Sequence, residues 1–505
     1  MDPLLGILSG FNTALTLKNL FNCLLGCFLG TLTGILPGFG PAAAVALLLP
    51  MTLYLSPSAA LIMLAGIYYG AMYGGSTTSI LINIPGEAAS VVTCFDGYKM
   101  ALQGRAGPAL GIAAFGSFIA GTISVFGLMF VAPPLARFAL SFTSAEYVAI
   151  IFFGLTLLCF MGSGSRLKAF MMAAVGILLG TVGADPVLSR DRFTFGFDFL
   201  MDGVGMIPVI MGLFGIGEVL SNLEEKQLSP LIAKIKNLLP SRADWAASAW
   251  PMIRGTVIGF FYGILPGGNA IISSILSYGI ERRLSKHPER FGTGAIEGVA
   301  GPEACNNATA TSAFIPLLTL GVPTNAVMAI MLAALMIHDV TPGPLLIAKR
   351  PDVFWGVIAS MYIGNIILLA LNLPLIGIWV RLLRISYAYL FSAILLFCLI
   401  GAYAINGLIS DAGIMVFFGG VGFLMRKFDY EPAPLVLAYI LGPLFEDNLR
   451  RSLNISGGDF GRFFTRPISL VFMLMSAALI AYPFASRIIR RRATFLPSDV
   501  STGDG

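Results

Sequence analysis

Gly34-Ile35-Leu36-Pro37-Gly38 recurs as Gly263-Ile264-Leu265-Pro266-Gly267, 229 residues later (263 − 34), in a chain that is otherwise mostly oil. Proline removes a backbone donor and disfavours helix in the residue before it, while glycine lets the backbone approach a neighbour or a ligand closely. In hydrocarbon such a break survives only where protein or a wet cavity receives the freed backbone groups. The surroundings are hydrocarbon: of 505 residues 57% are hydrophobic and 11% charged, where a soluble chain is about a quarter charged. The expected fold is therefore an all-α polytopic membrane protein. It has two homologous halves with Pro-Gly-broken helices or re-entrant hairpins, and about 10–12 transmembrane segments of roughly 20 residues. Matching breaks in two halves are the sequence sign of a transport site near the midplane.

The chain divides at its polar stretches. Residues 1–220 form a first repeat half, 221–254 a polar linker on the cytoplasmic side, 255–486 a second half with additional helices, and 487–505 a cytoplasmic tail. In the linker Leu231, Ile232, Ile235 and Leu238 share a helical face opposite Lys234 and Lys236, the pattern of a segment lying on the membrane surface. Basic clusters at Arg282-Arg283, Arg381 to Arg384, Arg426-Lys427 and Arg490-Arg491-Arg492 mark the inner side. Arg450, Arg451, Arg462 and Arg466 violate that bias by falling on the outer side. The six cysteines show no CxxC pair or metal-ligand spacing and read as packing residues.

The halves overlay beyond the break. Gly26, Gly30 and Gly34 match Gly255, Gly259 and Gly263 at the same offset. Further on, Gly75-Ser76-Thr77-Thr78-Ser79 lies against Ala308-Thr309-Ala310-Thr311-Ser312 at an offset of 233, and Ile84-Pro85-Gly86 meets Val322-Pro323-Thr324 after a short insertion.

Three groups of residues carry the chemistry. The breaks supply Gly34, Pro37, Gly38 and Gly40, and Gly263, Pro266, Gly267 and Asn269. A helix restarting after each break points free N–H groups and the positive dipole end at a cavity, which favours an organic anion. A proline kink needed only for packing explains one break more readily than two. The polar runs supply Ser76, Thr77 and Thr78, and Asn306, Asn307 and Thr309. Single hydroxyls can bond back to their own helix, but two adjacent amides in hydrocarbon need partners. The third group is the candidates for ion coupling, Glu87, Glu303, Ser79 and Ser312, since an intramembrane ionisable group is a functional candidate by default. Neutral oxygens of this kind also suit a sodium ion. No other cofactor and no transition-metal site is expected. There is no Walker A sequence, no Gly-x-Ser-x-Gly and no His-Glu-x-x-His, so an enzyme is not expected.

Long stretches resemble one family. They are Gly34-Ile-Leu-Pro-Gly-Phe-Gly-Pro-Ala; Tyr73-Gly-Gly-Ser-Thr-Thr-Ser-Ile-Leu-Ile-Asn-Ile-Pro-Gly-Glu; Gly294-Ala-Ile-Glu-Gly-Val-Ala-Gly-Pro-Glu-Ala-Cys-Asn-Asn-Ala; and Leu449-Arg-Arg-Ser-Leu. Together they are similar to the large membrane subunit of tripartite tricarboxylate transporters, the TctA-like family. The resemblance implies a multi-pass protein of the bacterial cell inner membrane. It would take up carboxylates (citrate or a related di- or monocarboxylate) on a sodium or proton gradient, with a small TctB-like membrane subunit and a periplasmic TctC-like solute-binding protein. It also offers a role for the outer arginines, which would pair with the acidic rim of a docked binding protein; the alternative is that they cap helix C-termini. Gly301 and Cys305 depart from the alanines usual in the family, and Phe39 from a leucine, which bears on the substrate more than on the fold. The competing function is a passive anion channel or exchanger without a binding protein.

Overall fold

The computed structural model describes residues 2–36, 39–161, 164–185, 187–188, 190–224, 235, 237–382 and 387–493. Pro37 and Gly38 of the first break, Leu231, Ile232, Lys234 and Lys236 of the linker, Arg384 and the tail beyond residue 493 lie outside the described residues. The protein is helical almost throughout, as its composition requires; Gly183–Ala184 and Asp191–Arg192 add one short antiparallel pairing.

Among the described residues, four helices are long and apolar enough to cross a bilayer: Ala106–Ala139, Met206–Glu224, Pro351–Asn372 and Ile409–Lys427. A fifth candidate is the pair Pro3–Ala14 and Leu17–Ile35, bent by 85°. Sequence alone reads that pair as one apolar stretch. The bend is set by Thr16, whose side chain accepts from Asn19 N, while Asn19 Nδ2 donates to Thr13 O at 2.8 Å. Shorter apolar helices such as Pro41–Thr52, Ala326–Ile337 and Pro467–Tyr482 complete the set. The apolar sequence is thus spread over few full-length spans and several shorter pieces.

Two helices at the centre are buried on every side. In Pro57–Ile82 every residue after Pro57 is buried, and in Glu297–Ser312 every residue after Glu297. Burial all round explains why their polar and small residues are tolerated: they face protein, not lipid. Each central helix is joined to an outer one along a glycine seam. A Cβ on Gly26, Gly30 or Gly34 would overlap the carbonyl oxygens of Met63, Ile67 and Ala71, and one on Gly255, Gly259 or Gly263 those of Gly301, Cys305 and Thr309. Numbering rises together on both sides of each seam, so each pair runs parallel, with backbones as close as glycine permits.

The seams give a register different from the one expected. Ala71 and Thr309 hold corresponding places, 238 apart (309 − 71). The same offset relates the left-handed helix ends at Asn83 (φ 58°) and Gly321 (φ 70°), and Ile84-Pro85 to Val322-Pro323. Ser76 to Ser79 therefore lie a turn beyond the first seam, whereas Thr309 to Ser312 lie on the second. No insertion separates the seam from the proline, because Glu297–Ser312 gives way at Ala313 to a further helix, Phe314–Leu320, that fills the missing length.

One helix spans the end of the polar linker and the start of the second half. Helix Arg242–Ile264 runs through Arg254 without interruption, started by Ser241 and Asp244, which cap each other's backbone. Arg254 is not a loop residue: its Nε donates to buried Glu281 at 2.8 Å.

Candidate functional site

The two breaks have matching local geometry. Helix Leu17–Ile35 ends at Leu36 in extended backbone and helix Arg242–Ile264 ends likewise at Leu265. The chain restarts at Pro41 after Gly40 and at Ala270 after Asn269. Each break meets a proline loop. A Cβ on Gly86 would strike Gly34 O, Gly75 Cα and Thr78 Oγ1, so the first break and the Pro85-Gly86 turn touch backbone to backbone. At the second, Gly267 (φ 79°) donates its N–H to Thr324 O at 2.9 Å, beside Pro323. The structure thus gives the breaks separate partners. Asn269, expected to bind substrate, accepts from Ile271 N at 3.0 Å and caps its own helix. Gly40 opens the other restarting helix without a side-chain cap, and Pro266 packs by its Cβ near Gly154.

Between the seams the polar residues converge on one helix. Glu303 accepts from Ser76 Oγ at 2.6 Å and, by a shorter bond, from Thr93 Oγ1. Three positions along, a neighbouring place on the same helical face, Asn306 Nδ2 donates to Glu87 Oε1 at 3.0 Å. The other Glu87 oxygen takes Ala89 N at 2.7 Å. Glu87 reaches this place because Gly75 has no side chain: a Cβ there would lie 2.6 Å from Glu87 Cγ. Both carboxyls are buried, at 5% and 1% exposure. Every bond described to them comes from a hydroxyl, an amide or a backbone N–H, and none from a basic side chain. Asn306 Oδ1 is buried with no hydrogen-bond partner.

The remaining candidates make bonds within the helix bundle. Asn307 Nδ2 donates to Ser117 Oγ at 2.6 Å and to Glu303 O at 3.3 Å, tying this helix to Ala106–Ala139. Ser79 Oγ donates to Gly75 O and Ser90 Oγ, Thr78 Oγ1 to Gly75 O, and Ser312 Oγ to Thr309 O and Gly259 O. Thr309 Oγ1 donates to Cys305 O and meets Ser273 Oγ at 2.9 Å. Thr77 and Ser76 face a crevice of about 10 Å³, lined also by Tyr73, Ser117 and Asn372. That is the space of a single water. Sequence reading passed over Thr93, Ser117 and Asn372; only Asn372, an amide near the end of an apolar helix, left a signal that could have found it. Asp96, a buried acid on a neighbouring helix, has both oxygens in use: Oδ1 accepts from Gly292, Gly294 and Ala295 N, each at 2.8 Å, and Oδ2 from Tyr278 at 2.9 Å.

The sequence profile of the tripartite tricarboxylate transporter TctA family matches residues 20–437. The chain belongs to the TctA family. It is 48% identical over 493 residues, 97% of its own length and 98% of the relative's, to an uncharacterised 52.8 kDa protein in the TAR-I ttuC′ 3′ region of Agrobacterium vitis. A protein in the TAR-II ttuC′ 3′ region of the same organism is 51% identical over 211 residues, 42% of this chain and 87% of that one. No solved structure matches. The match to the TctA family begins within helix Leu17–Ile35 and takes in both seams, both breaks and all of the carboxyl cluster. This TctA protein is therefore a component of a tripartite tricarboxylate transporter, and a membrane protein by its apolar helices.

Three of the four arginines expected on the outer side, Arg450, Arg451 and Arg466, make ion pairs within the chain. Arg450 binds Asp185 at 2.8 Å and Glu446 at 2.7 Å, and Arg192 joins Glu446 at 2.8 Å. Arg466 pairs with Glu146, and Arg451 with Asp447 at 2.9 Å. The Arg450 guanidinium, with the N–H groups of Leu188 and Val187, holds the Asp185 carboxyl well below the usual carboxylate range.

Proposed function

We propose that this chain is the permease subunit of a tripartite secondary transporter that imports carboxylates across the bacterial inner membrane on a cation gradient. A small TctB-like membrane subunit and a periplasmic TctC-like binding protein complete it. The observation that carries the reading is the pair of buried carboxyls, Glu87 and Glu303, bonded by neutral donors in a TctA-family chain whose Pro85-Gly86 turn touches the first helix break. An ionised carboxylate without a counter-charge is costly in such a place, so each must take up a proton or a cation and release it as the surroundings change. The transported carboxylate needs far more room than the crevice offers; small-molecule sites run to about 300–1,000 Å³.

The test is uptake of labelled tri-, di- and monocarboxylates into vesicles holding the chain with its membrane subunit. Binding protein is added or withheld, and sodium and pH gradients are imposed separately. The reading expects concentrative uptake that needs the binding protein and one of the gradients. Uptake that merely equilibrates and ignores both would establish the passive channel instead. Unchanged ion dependence in both Glu87→Gln and Glu303→Gln would remove these carboxyls from coupling.

A further inference from the structure

We propose that the crevice between helices Pro57–Ile82, Ala106–Ala139 and Pro351–Asn372 is a binding site for a monovalent cation of sodium's size. Its oxygen ligands would come from Tyr73, Ser76, Thr77, Ser117 and Asn372, and its counter-charge from Glu303. The inference deepens the transport reading by naming the ion, but the binding itself does not require that reading.

Three observations carry it. Two polar atoms on the lining, Tyr73 Oη and Asn372 Oδ1, are buried and have no hydrogen-bond partner, although their residues are only 3% and 4% exposed. A buried polar group is normally bonded, and two unbonded ones on a single small crevice are accounted for by a water or an ion there. Next, the crevice offers acceptor oxygens. One Asn372 amide N–H donates to Leu368 O at 2.9 Å, and the amide oxygen has no partner. The Ser76 hydroxyl hydrogen is committed to Glu303 Oε2 at 2.6 Å, and Ser117 Oγ already accepts from Asn307. Acceptors gathered around a space of about 10 Å³ suit a small hard cation, which takes neutral oxygens readily. Finally, charge decides between a cation and a water. Glu303 lies one hydroxyl away through Ser76, and no basic side chain among the described residues pairs with it. A cation in the crevice neutralises it; a water does not. No residue of the crevice wall is acidic, so the ion can leave without breaking a direct carboxylate bond.

The experiment is thermal unfolding of the purified full-length chain in detergent. Sodium chloride is titrated against potassium chloride and choline chloride at constant ionic strength. The wild-type midpoint should rise with sodium and not with the other two. Asn372→Ala and Tyr73→Phe should each need at least tenfold more sodium for half of that rise. Ser117→Ala, which removes a ligand without opening a larger void, should shift in the same direction if Asn372→Ala does not fold. Equal response to all three salts would show that the crevice holds water alone. A sodium response that survives undiminished in Tyr73→Phe and Ser117→Ala would put the ion elsewhere. Loss of gradient-driven uptake in a preparation that keeps the sodium shift would count against the transport reading and leave this site standing.

Discussion

Asn306 and Asn307 are adjacent in sequence and opposite in use. Successive residues of a helix point about 100° apart, so Asn306 turns to Glu87 while Asn307 turns to Ser117. Replacing Asn307 by Ala leaves Ser117 and part of the helix contact unbonded, at a cost of about 1–3 kcal/mol. It should appear as a lowered unfolding temperature with little change in ion dependence. Asn306→Ala removes the one side-chain donor described for the Glu87 carboxyl and should instead raise the ion concentration for half-maximal uptake by roughly tenfold, with a smaller effect on unfolding. The reverse order, measured on the two proteins side by side, would overturn this division. The pair could be singled out from sequence because two amides in hydrocarbon demand partners. Which of them borders the ionisable cluster was not legible, since that depends on which neighbours pack against each face. Asn372 was hidden for a related reason: one amide in an apolar helix looks like many others until its oxygen is found without a partner.

At the level of the helix, the glycine seams were legible and the second register was not. Gly26, Gly30, Gly34 and their counterparts follow a local spacing rule that a sequence displays directly. The runs at 76–79 and 309–312 look alike in composition, but the contacts that fix their places are long-range, and composition does not report them. The bend between Ala14 and Leu17 escaped for the opposite reason, because a single threonine cap is small beside the long apolar stretch around it. The seams make a contrast that can be measured. Gly259→Ala forces a methyl group into Cys305 O, and Gly30→Ala into Ile67 O; each should destabilise by about 1–3 kcal/mol. Gly420 lies inside helix Ile409–Lys427, and no atom stands within 4 Å of the position its Cβ would take. Gly420→Ala should therefore be neutral or stabilise by up to about 1 kcal/mol through helix propensity. Thermal unfolding of the three variants in one detergent would check this, and equal effects would contradict it.

Across the whole molecule, the outer ion network ties the loop at Asp185 to helix Pro432–Ile455. Arg450→Gln should lower the unfolding temperature at neutral pH. Because the folded Asp185 carboxyl is held below its unfolded value of about 3.9, its stabilising effect is complete above that value. It is lost only as pH falls through the lower, folded one. The gap between wild type and Arg450→Gln should therefore be flat from about pH 8 to about pH 5 and close in stronger acid; a gap that closes near the ordinary histidine value of about 6.5 would implicate a histidine instead. The acids that pair with Arg450 and Arg466, namely Asp185, Glu446 and Glu146, were not legible as their partners, because most lie hundreds of residues away. The seams carry one more consequence, for how the family can vary. A single residue added between Gly26 and Gly34, or between Gly255 and Gly263, would swing every later glycine about 100° off its facing carbonyl. These stretches are counted as well as composed. Gains and losses of sequence among relatives belong outside them, and an active relative with one unmatched residue inside either stretch would show that the spacing is negotiable after all.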